Sequence, residues 1–307
     1  MSAYTALPRD ALAIFLDGYA IGTALRWQAI RDGIENSNYF LHTGQGEYVL
    51  TLFENLAAGQ LPPYLALMRG LARHGLSCPQ PLPNRAGLLL GELCGKPALL
   101  TPRLPGASLR TPGTAHCRAI GAALATVHAN SPQLPAMPAN AYGLAWQYRT
   151  AELLQPRLDR DSARLLADEL AFQQGLDYTP LPRGLIHGDL FRDNALFAAD
   201  RLSGVLDWYE AGSDAWLYDV AVTANDWCGA DAALMHALLA GYAGVRSLTA
   251  AELAALPAML RTAALRFWLS RLLARLTPRN GHLVHSKDPD EFKQLLLLRR
   301  ETLPLSR

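Results

Sequence analysis

Charge is scarce in this chain of 307 residues. Asp, Glu, Lys and Arg make up 18% of it, below the roughly 25% of an average globular domain, which excludes a solvated, disordered chain. Neither sign prevails: 28 basic against 27 acidic residues leave a net charge of +1. No global field therefore draws the protein to nucleic acid or to an anionic membrane. Cysteine is also scarce. Cys78, Cys94, Cys117 and Cys228 stand far apart with no C-x-x-C pair, which argues against a zinc site or disulfide framework and fits reduced thiols. No long apolar run is free of charge, since Leu256 to Leu276 is broken by Arg261, Arg266, Arg271 and Arg275; that excludes a simple membrane span. Met1 to Asp10 lacks a basic stretch followed by an apolar one, so no signal peptide is expected and a soluble cytoplasmic protein is. Repeats and low-complexity tracts are absent. Half of the residues are apolar, enough for a sizeable core in one large domain or two lobes.

The first third reads as a small α/β unit. Asn38 to His42 and Glu47 to Phe53 are β-rich runs joined by Thr43 to Gly46, a hairpin signal. Tyr64, Leu65, Leu67, Met68, Leu71 and Ala72 recur at helical spacing between Pro62 and His74, and Gly75 is the stop. Gly87 to Gly91 and Lys96 to Thr101 are further strand candidates. Beyond the turn Pro105-Gly106 the pattern changes to helix, first over Thr114 to His128, interrupted by short strands and turns near Gly184 to Asp207. This gives an α+β molecule of two lobes: a small, antiparallel-sheet N-lobe (residues 1–101) and a larger, mainly helical C-lobe (102–307). Small ligands bind in clefts between lobes.

The informative stretch is Leu185 to Phe197, with His187, Asp189 and, five positions on, Asn194. A hairpin follows through Ala195 to Phe197, a turn over Asp200 to Gly204, then Val205-Leu206, and it ends at Asp207-Trp208. These residue types suit phosphoryl transfer. One carboxylate, Asp189, takes or orients the acceptor's hydroxyl proton, while an amide oxygen (Asn194) and a second carboxylate (Asp207) hold magnesium against nucleotide phosphates. The hairpin is expected to bring Asp207 back beside Asn194.

His187 to Asn194 resembles the catalytic loop of the aminoglycoside-phosphotransferase-like kinases, relatives of the protein kinases, and Asp207-Trp208 resembles their second metal aspartate. Within that family, Gly33 to Phe40, Tyr48 to Glu54, Asn225 to Cys228, Leu265 to Phe267 and Lys287 to Pro289 are similar to the bacterial homoserine kinases. The resemblance implies a protein-kinase-like fold, ATP and Mg2+ as cofactors, and γ-phosphoryl transfer to L-homoserine. It implies Asp189 as base, Asn194 and Asp207 as metal ligands, His187 as a support of the loop and Asp219 as its buried anchor. Sibling kinases of choline, ethanolamine, an amino sugar or methylthioribose are the nearest rivals, and a nucleotide-binding pseudokinase the rival of another class.

Protein kinases hold the α- and β-phosphates with a strand lysine paired to a helix glutamate. Here Thr51 stands at that place, and Pro62 to His74 contains no Glu. The turn Glu35-Asn-Ser-Asn38, with Ser37 and Asn38, can offer backbone donors instead, or be an ordinary hairpin turn. Adenine is expected against Ala98 to Thr101, including Leu100. For a zwitterionic acceptor, Arg266 stands on a helical wheel at the border of the apolar face, away from Arg261, Arg271 and Arg275. It needs an anionic partner, either a substrate carboxylate or an internal acid. Glu210 and Asp226 are the candidates for the ammonium. His128 is expected to be a helix C-terminal histidine.

Overall fold

The computed structural model describes residues 5–30, 36–276 and 288–301. Helix α1 (Arg9–Asp17) begins after Pro8 and buries Leu12, Phe15 and Leu16. It packs on a sheet of β1 (Ala24–Ala29), β2 (Ser37–Thr43), β3 (Gly46–Leu52), β4 (Gly91–Leu93) and β5 (Lys96–Pro102). The order is β1-β2-β3-β5-β4, antiparallel throughout. Alternation divides the sheet's side chains between two faces. Tyr39, Leu41, Leu50, Leu52, Ala98 and Leu100 join α1 in one apolar cluster. Asn38, Thr51 and Leu99, paired across β2, β3 and β5, lie on the other face.

The strand expected over Gly87 to Gly91 begins only at Gly91. The preceding residues fold into a turn, because the Asn84 side chain accepts from Ala86 N and Leu88 N and Gly87 takes a left-handed conformation. Helix α2 (Pro62–Arg73) starts on two prolines and ends before Gly75, whose φ is +83°. Its Leu65, Leu67, Met68 and Leu71 belong to the larger core, which continues into the helical lobe.

That lobe is built from α3 (Thr114–Asn130), α4 (Leu144–Leu154), α5 (Arg160–Gln174), β6 (Arg183–Ile186), β7 (Ala195–Ala198), β8 (Arg201–Val205), β9 (Gly212–Ala215), α6 (Trp216–Cys228), α7 (Ala232–Ala243), α8 (Ala250–Leu276) and α9 (Pro289–Glu301). Helices α3 and α7 touch backbone to backbone. A Cβ on Gly121 would lie 2.1 Å from the Leu238 carbonyl oxygen, and one on Gly241 2.0 Å from that of Arg118. The β7–β8 hairpin turns at Ala199-Asp200, earlier than expected, and β9, which pairs with β6, was not expected at all. These two ladders frame residues 187–194. Among the described residues no helix is long and apolar enough to cross a membrane. The four cysteines are free thiols, three of them buried.

The arginines of α8 are taken up by acids of neighbouring elements. Arg261 pairs with Glu169, Arg266 with Glu210, Arg271 with Glu291 and Arg275 with Asp288.

Candidate active site

Strand β6 delivers His187 into the core and Gly188 turns the chain with a φ of +82°. Asp219, in the first turn of α6, receives the backbone N–H groups of His187 (2.7 Å) and Gly188 (2.9 Å). Two turns further along α6, Asp226 accepts from the Arg192 backbone N–H (2.7 Å) and from its Nε (3.1 Å), and the Trp227 indole donates to Leu190 O (3.0 Å). Seven residues is close to two helical turns, so Asp219 and Asp226 share a face. One helix thus grips the loop along its length.

Burial alone would raise the Asp219 pKa, but hydrogen bonding and charge from His128, with the His187 N–H, hold it below the usual carboxylate range. His128 stands in the last turn of α3, as expected, and is buried there. Its Nε2 lies 3.2 Å from Asp219 Oδ2 and its Nδ1 2.8 Å from the Tyr242 hydroxyl. Burial lowers the pKa of both His128 and His187. In the neutral His187 ring Nδ1 accepts from Asp189 N (3.3 Å) and Nε2 donates to Leu206 O (2.8 Å). His187 is therefore a support, as its place in the motif implied.

The Asn194 amide nitrogen donates to Asp189 O (2.8 Å) and to Asp189 Oδ2 (3.2 Å), and Asn194 O accepts from Leu206 N (2.8 Å). Asp207 follows Leu206 directly, in a left-handed conformation (φ 57°, ψ 62°), and is exposed. Asp189, Asn194 and Asp207 are thus tied into one wall by hydrogen bonds through Leu206. With its nitrogen turned to Asp189, Asn194 keeps Oδ1 for a cation, and a carboxylate plus an amide oxygen is a donor set that fits magnesium.

The opposite wall is the sheet face that carries Thr51. The Phe53 ring, two residues on, meets Tyr209 edge-on at 4.9 Å, which identifies this face as the one over the loop. Thr51 Oγ1 donates to Asn38 Oδ1 (2.7 Å). Ser37 and Leu100 point the other way. The buried Ser37 hydroxyl donates to Glu54 (2.5 Å) and receives Thr5 N (3.1 Å). Leu100 is sealed under α1, with its carbonyl taken by Leu82 N (2.8 Å). Strand alternation puts every second side chain on the far face, so only backbone groups of Ser37 and Leu100 remain for the roles expected of them. Glu35 lies outside the described residues.

Arg266 and Glu210, proposed from the sequence for opposite ends of a substrate, are brought together: Arg266 donates to Glu210 Oε2 at 2.6 Å. The guanidinium lies between the rings of Tyr142 (4.2 Å) and Phe267 (3.8 Å). Burial works against its charge, but Glu210, Tyr218 and Asp189 outweigh that and raise the Arg266 pKa above the ordinary value. Asp226 is not among them, since Arg192 occupies its carboxylate. Tyr142 and Tyr218 escaped the sequence because nothing in their spacing links them to the loop; adjacency to Asp219 was the one available signal for Tyr218.

Residues 26–256 match the model of the phosphotransferase enzyme family. The chain belongs to this family. Among curated relatives of this phosphotransferase, the homoserine kinase of Methylobacillus flagellatus is 46% identical over 301 residues, covering 96% of this chain and 94% of its own. The homoserine kinase of Janthinobacterium sp. is 44% identical over 311 residues, covering 98% and 97%. An amicoumacin kinase solved in complex with AMP-PNP, Ca2+ and Ami superposes with a TM-score of 0.69 at 17% identity, covering 94% of this chain and 91% of its own. The fold of this phosphotransferase is the two-lobed, kinase-like one.

Proposed function

We infer that this phosphotransferase moves the γ-phosphoryl group of ATP to the hydroxyl of L-homoserine, forming O-phosphohomoserine, a step toward threonine. The observation that carries this reading is the Asp189–Asn194–Asp207 wall, held by α6, in a chain 46% identical to a homoserine kinase.

Asp189, oriented by the Asn194 amide, accepts the proton of the acceptor hydroxyl. The hydroxyl oxygen bonds to the γ-phosphorus, the bond to the β–γ bridging oxygen breaks, and ADP leaves with that electron pair. Asn194 Oδ1 and Asp207 would hold Mg2+, which supplies charge neutralisation on the phosphates when bound. Thr51 stands where the protein kinases carry their strand lysine, and Lys96 of β5 is paired with Glu54. Because the Thr51 hydroxyl donates to Asn38 Oδ1, the Asn38 amide N–H groups are left as the side-chain donors toward phosphate. Arg266 and Glu210 take the acceptor's carboxylate and ammonium. Their contact at 2.6 Å suits an α-amino acid, which bears both charges on one carbon.

Coupled ADP release with homoserine, choline and kanamycin as alternative acceptors tests the assignment. Homoserine-dependent release with MgATP is expected. Preference for choline or kanamycin moves the enzyme to a sibling activity, and no release with any of the three makes it a binding protein.

A further inference from the structure

Two aromatic rings cover the Arg266 guanidinium, Phe267 at 3.8 Å and Tyr142 at 4.2 Å from ring centroid to guanidinium carbon. Phe267 belongs to the core and packs at 4.5 Å on Phe191, whose backbone N–H donates to Asp189 O (2.8 Å). Tyr142 is half-buried and stands in the turn before α4, backed edge-on by Trp146 at 5.1 Å. That turn is stitched to β9. Asn140 N donates to Ser213 O (3.0 Å) and Ser213 N to Pro138 O (2.7 Å). The Asn140 side chain donates to Asp214 (2.8 Å) and accepts from Tyr142 N (2.9 Å). Strand β9 pairs with β6, which runs on into the loop of Asp189. Each ring is therefore tied to the catalytic loop by its own route. Glu210 is tied as well, since a Cβ on Gly188 would lie 3.2 Å from the Glu210 carbonyl oxygen.

We propose that Tyr142 is a positioning residue of the acceptor site, whose ring holds the Arg266 guanidinium in place and screens it from water, so that the kinase selects acceptors carrying a carboxylate. The proposal rests on the acceptor reading above and names the residue that enforces it. A guanidinium carries all its N–H donors in one plane, and its faces are weakly hydrated. Aromatic rings occupy such faces and leave the N–H edge to oxygen acceptors. On that edge one nitrogen donates to Glu210 at 2.6 Å. The buried Nε has no partner among the described residues, which leaves it as a donor for a carboxylate oxygen. Arg266 is 4% exposed and Phe267 5%, so of the two covering rings Tyr142 is the one that borders solvent. Its ring decides how much water reaches the charge. Attraction between the guanidinium and a carboxylate strengthens as water is excluded.

Tyr142→Leu removes the ring face and Tyr142→Phe keeps it. In the leucine variant the homoserine KM should rise roughly three- to thirty-fold, the range of an arginine–ring contact. Turnover and the KM for MgATP should change less than about twofold. The phenylalanine variant should match wild type within about twofold in all three constants. 3-Amino-1-propanol, which is homoserine without its carboxylate, should lose little in either variant, read as its KM or as its Ki against homoserine. Raising KCl to about 0.5 M should increase the homoserine KM more in the leucine variant than in wild type, because a charge opened to water is screened. A residue needed only for folding would not give that salt dependence. Tyr142→Gln, a second ring-free variant, carries the same expectations if leucine disturbs folding. A homoserine KM within about twofold of wild type in a ring-free variant overturns the proposal. So does an equal rise for 3-amino-1-propanol, an unchanged salt dependence, or a phenylalanine variant as impaired as the leucine one. Failure of the acceptor reading shows separately, as wild-type enzyme that releases no ADP with homoserine, and it removes the Tyr142 proposal with it.

Discussion

The imidazole of His187 donates from Nε2 to the carbonyl of Leu206 over 2.8 Å. A buried, uncharged ring thereby ties the loop that carries Asp189 to the residue preceding Asp207. The ring's other nitrogen receives Asp189 N, and its face lies against Trp208, 4.5 Å between centroids. The His187 side chain thus links the segment of the candidate base to that of the candidate metal aspartate.

Asp189→Asn should lower turnover roughly a hundred- to ten-thousand-fold, since an amide cannot accept the acceptor's proton. Nucleotide affinity, read by fluorescence titration, should stay near wild type. A variant retaining more than about a tenth of wild-type turnover removes Asp189 from the base role.

Asp207→Asn keeps a residue type that tolerates the left-handed backbone found at this position. It deletes one charge from the candidate metal site. The magnesium concentration for half-maximal rate should rise by about an order of magnitude or more. Asn194→Ala should do the same and also slow turnover, because Asp189 loses the amide that orients it. An unchanged magnesium titration in either variant refutes the ligand assignment.

Thr51→Val preserves shape and removes the donor to Asn38. The Asn38 side chain is then free to rotate, and the KM for MgATP should rise about three- to tenfold, the value of one ordinary hydrogen bond. The homoserine KM should stay where it is. If both constants are unchanged, the phosphates are held by other groups.

Arg266→Lys replaces a planar fork with a point charge. The homoserine KM should rise roughly ten- to a hundred-fold, about 1.5–3 kcal/mol, while the KM for MgATP barely moves. A lowered melting temperature with an unchanged homoserine KM would make the Arg266–Glu210 contact an internal ion pair only.

His128 and His187 are buried, and burial lowers the pKa of each in the folded protein. Below the unfolded value of about 6.5 the unfolded chain takes up protons that the folded one refuses. Their contribution to stability is therefore complete above about pH 6.5 and is lost as pH falls toward the folded pKa values, by up to about 1.4 kcal/mol per pH unit for each ring. Thermal unfolding followed by circular dichroism should show the midpoint falling from about pH 7 to about pH 5. A flat profile would mean that the rings are charged in the fold.

The parts legible in the sequence were those written in local chemistry. The β2–β3 hairpin, α2 with its prolines and terminal glycine, and α3 follow from short-range periodicity and turn residues. So does the grouping of Asp189, Asn194 and Asp207, because a five-residue loop and a hairpin leave little freedom between them.

What tertiary structure alone decided is which partner each polar group meets. A helical wheel places Arg266 at the border of an apolar face, but only the packing of α8 against the segment after β8 supplies Glu210. Asp226 looked like a substrate ligand until the loop laid Arg192 across it. Strand alternation divides Ser37 from Asn38 in any register, yet α1 decides which of the two is covered. His128 met Asp219 across 91 residues of chain. Local sequence sets backbone conformation through steric and hydrogen-bonding preferences a few residues long. The pairing of buried polar groups is set by the requirement that each find a partner in whatever element the hydrophobic core has brought beside it.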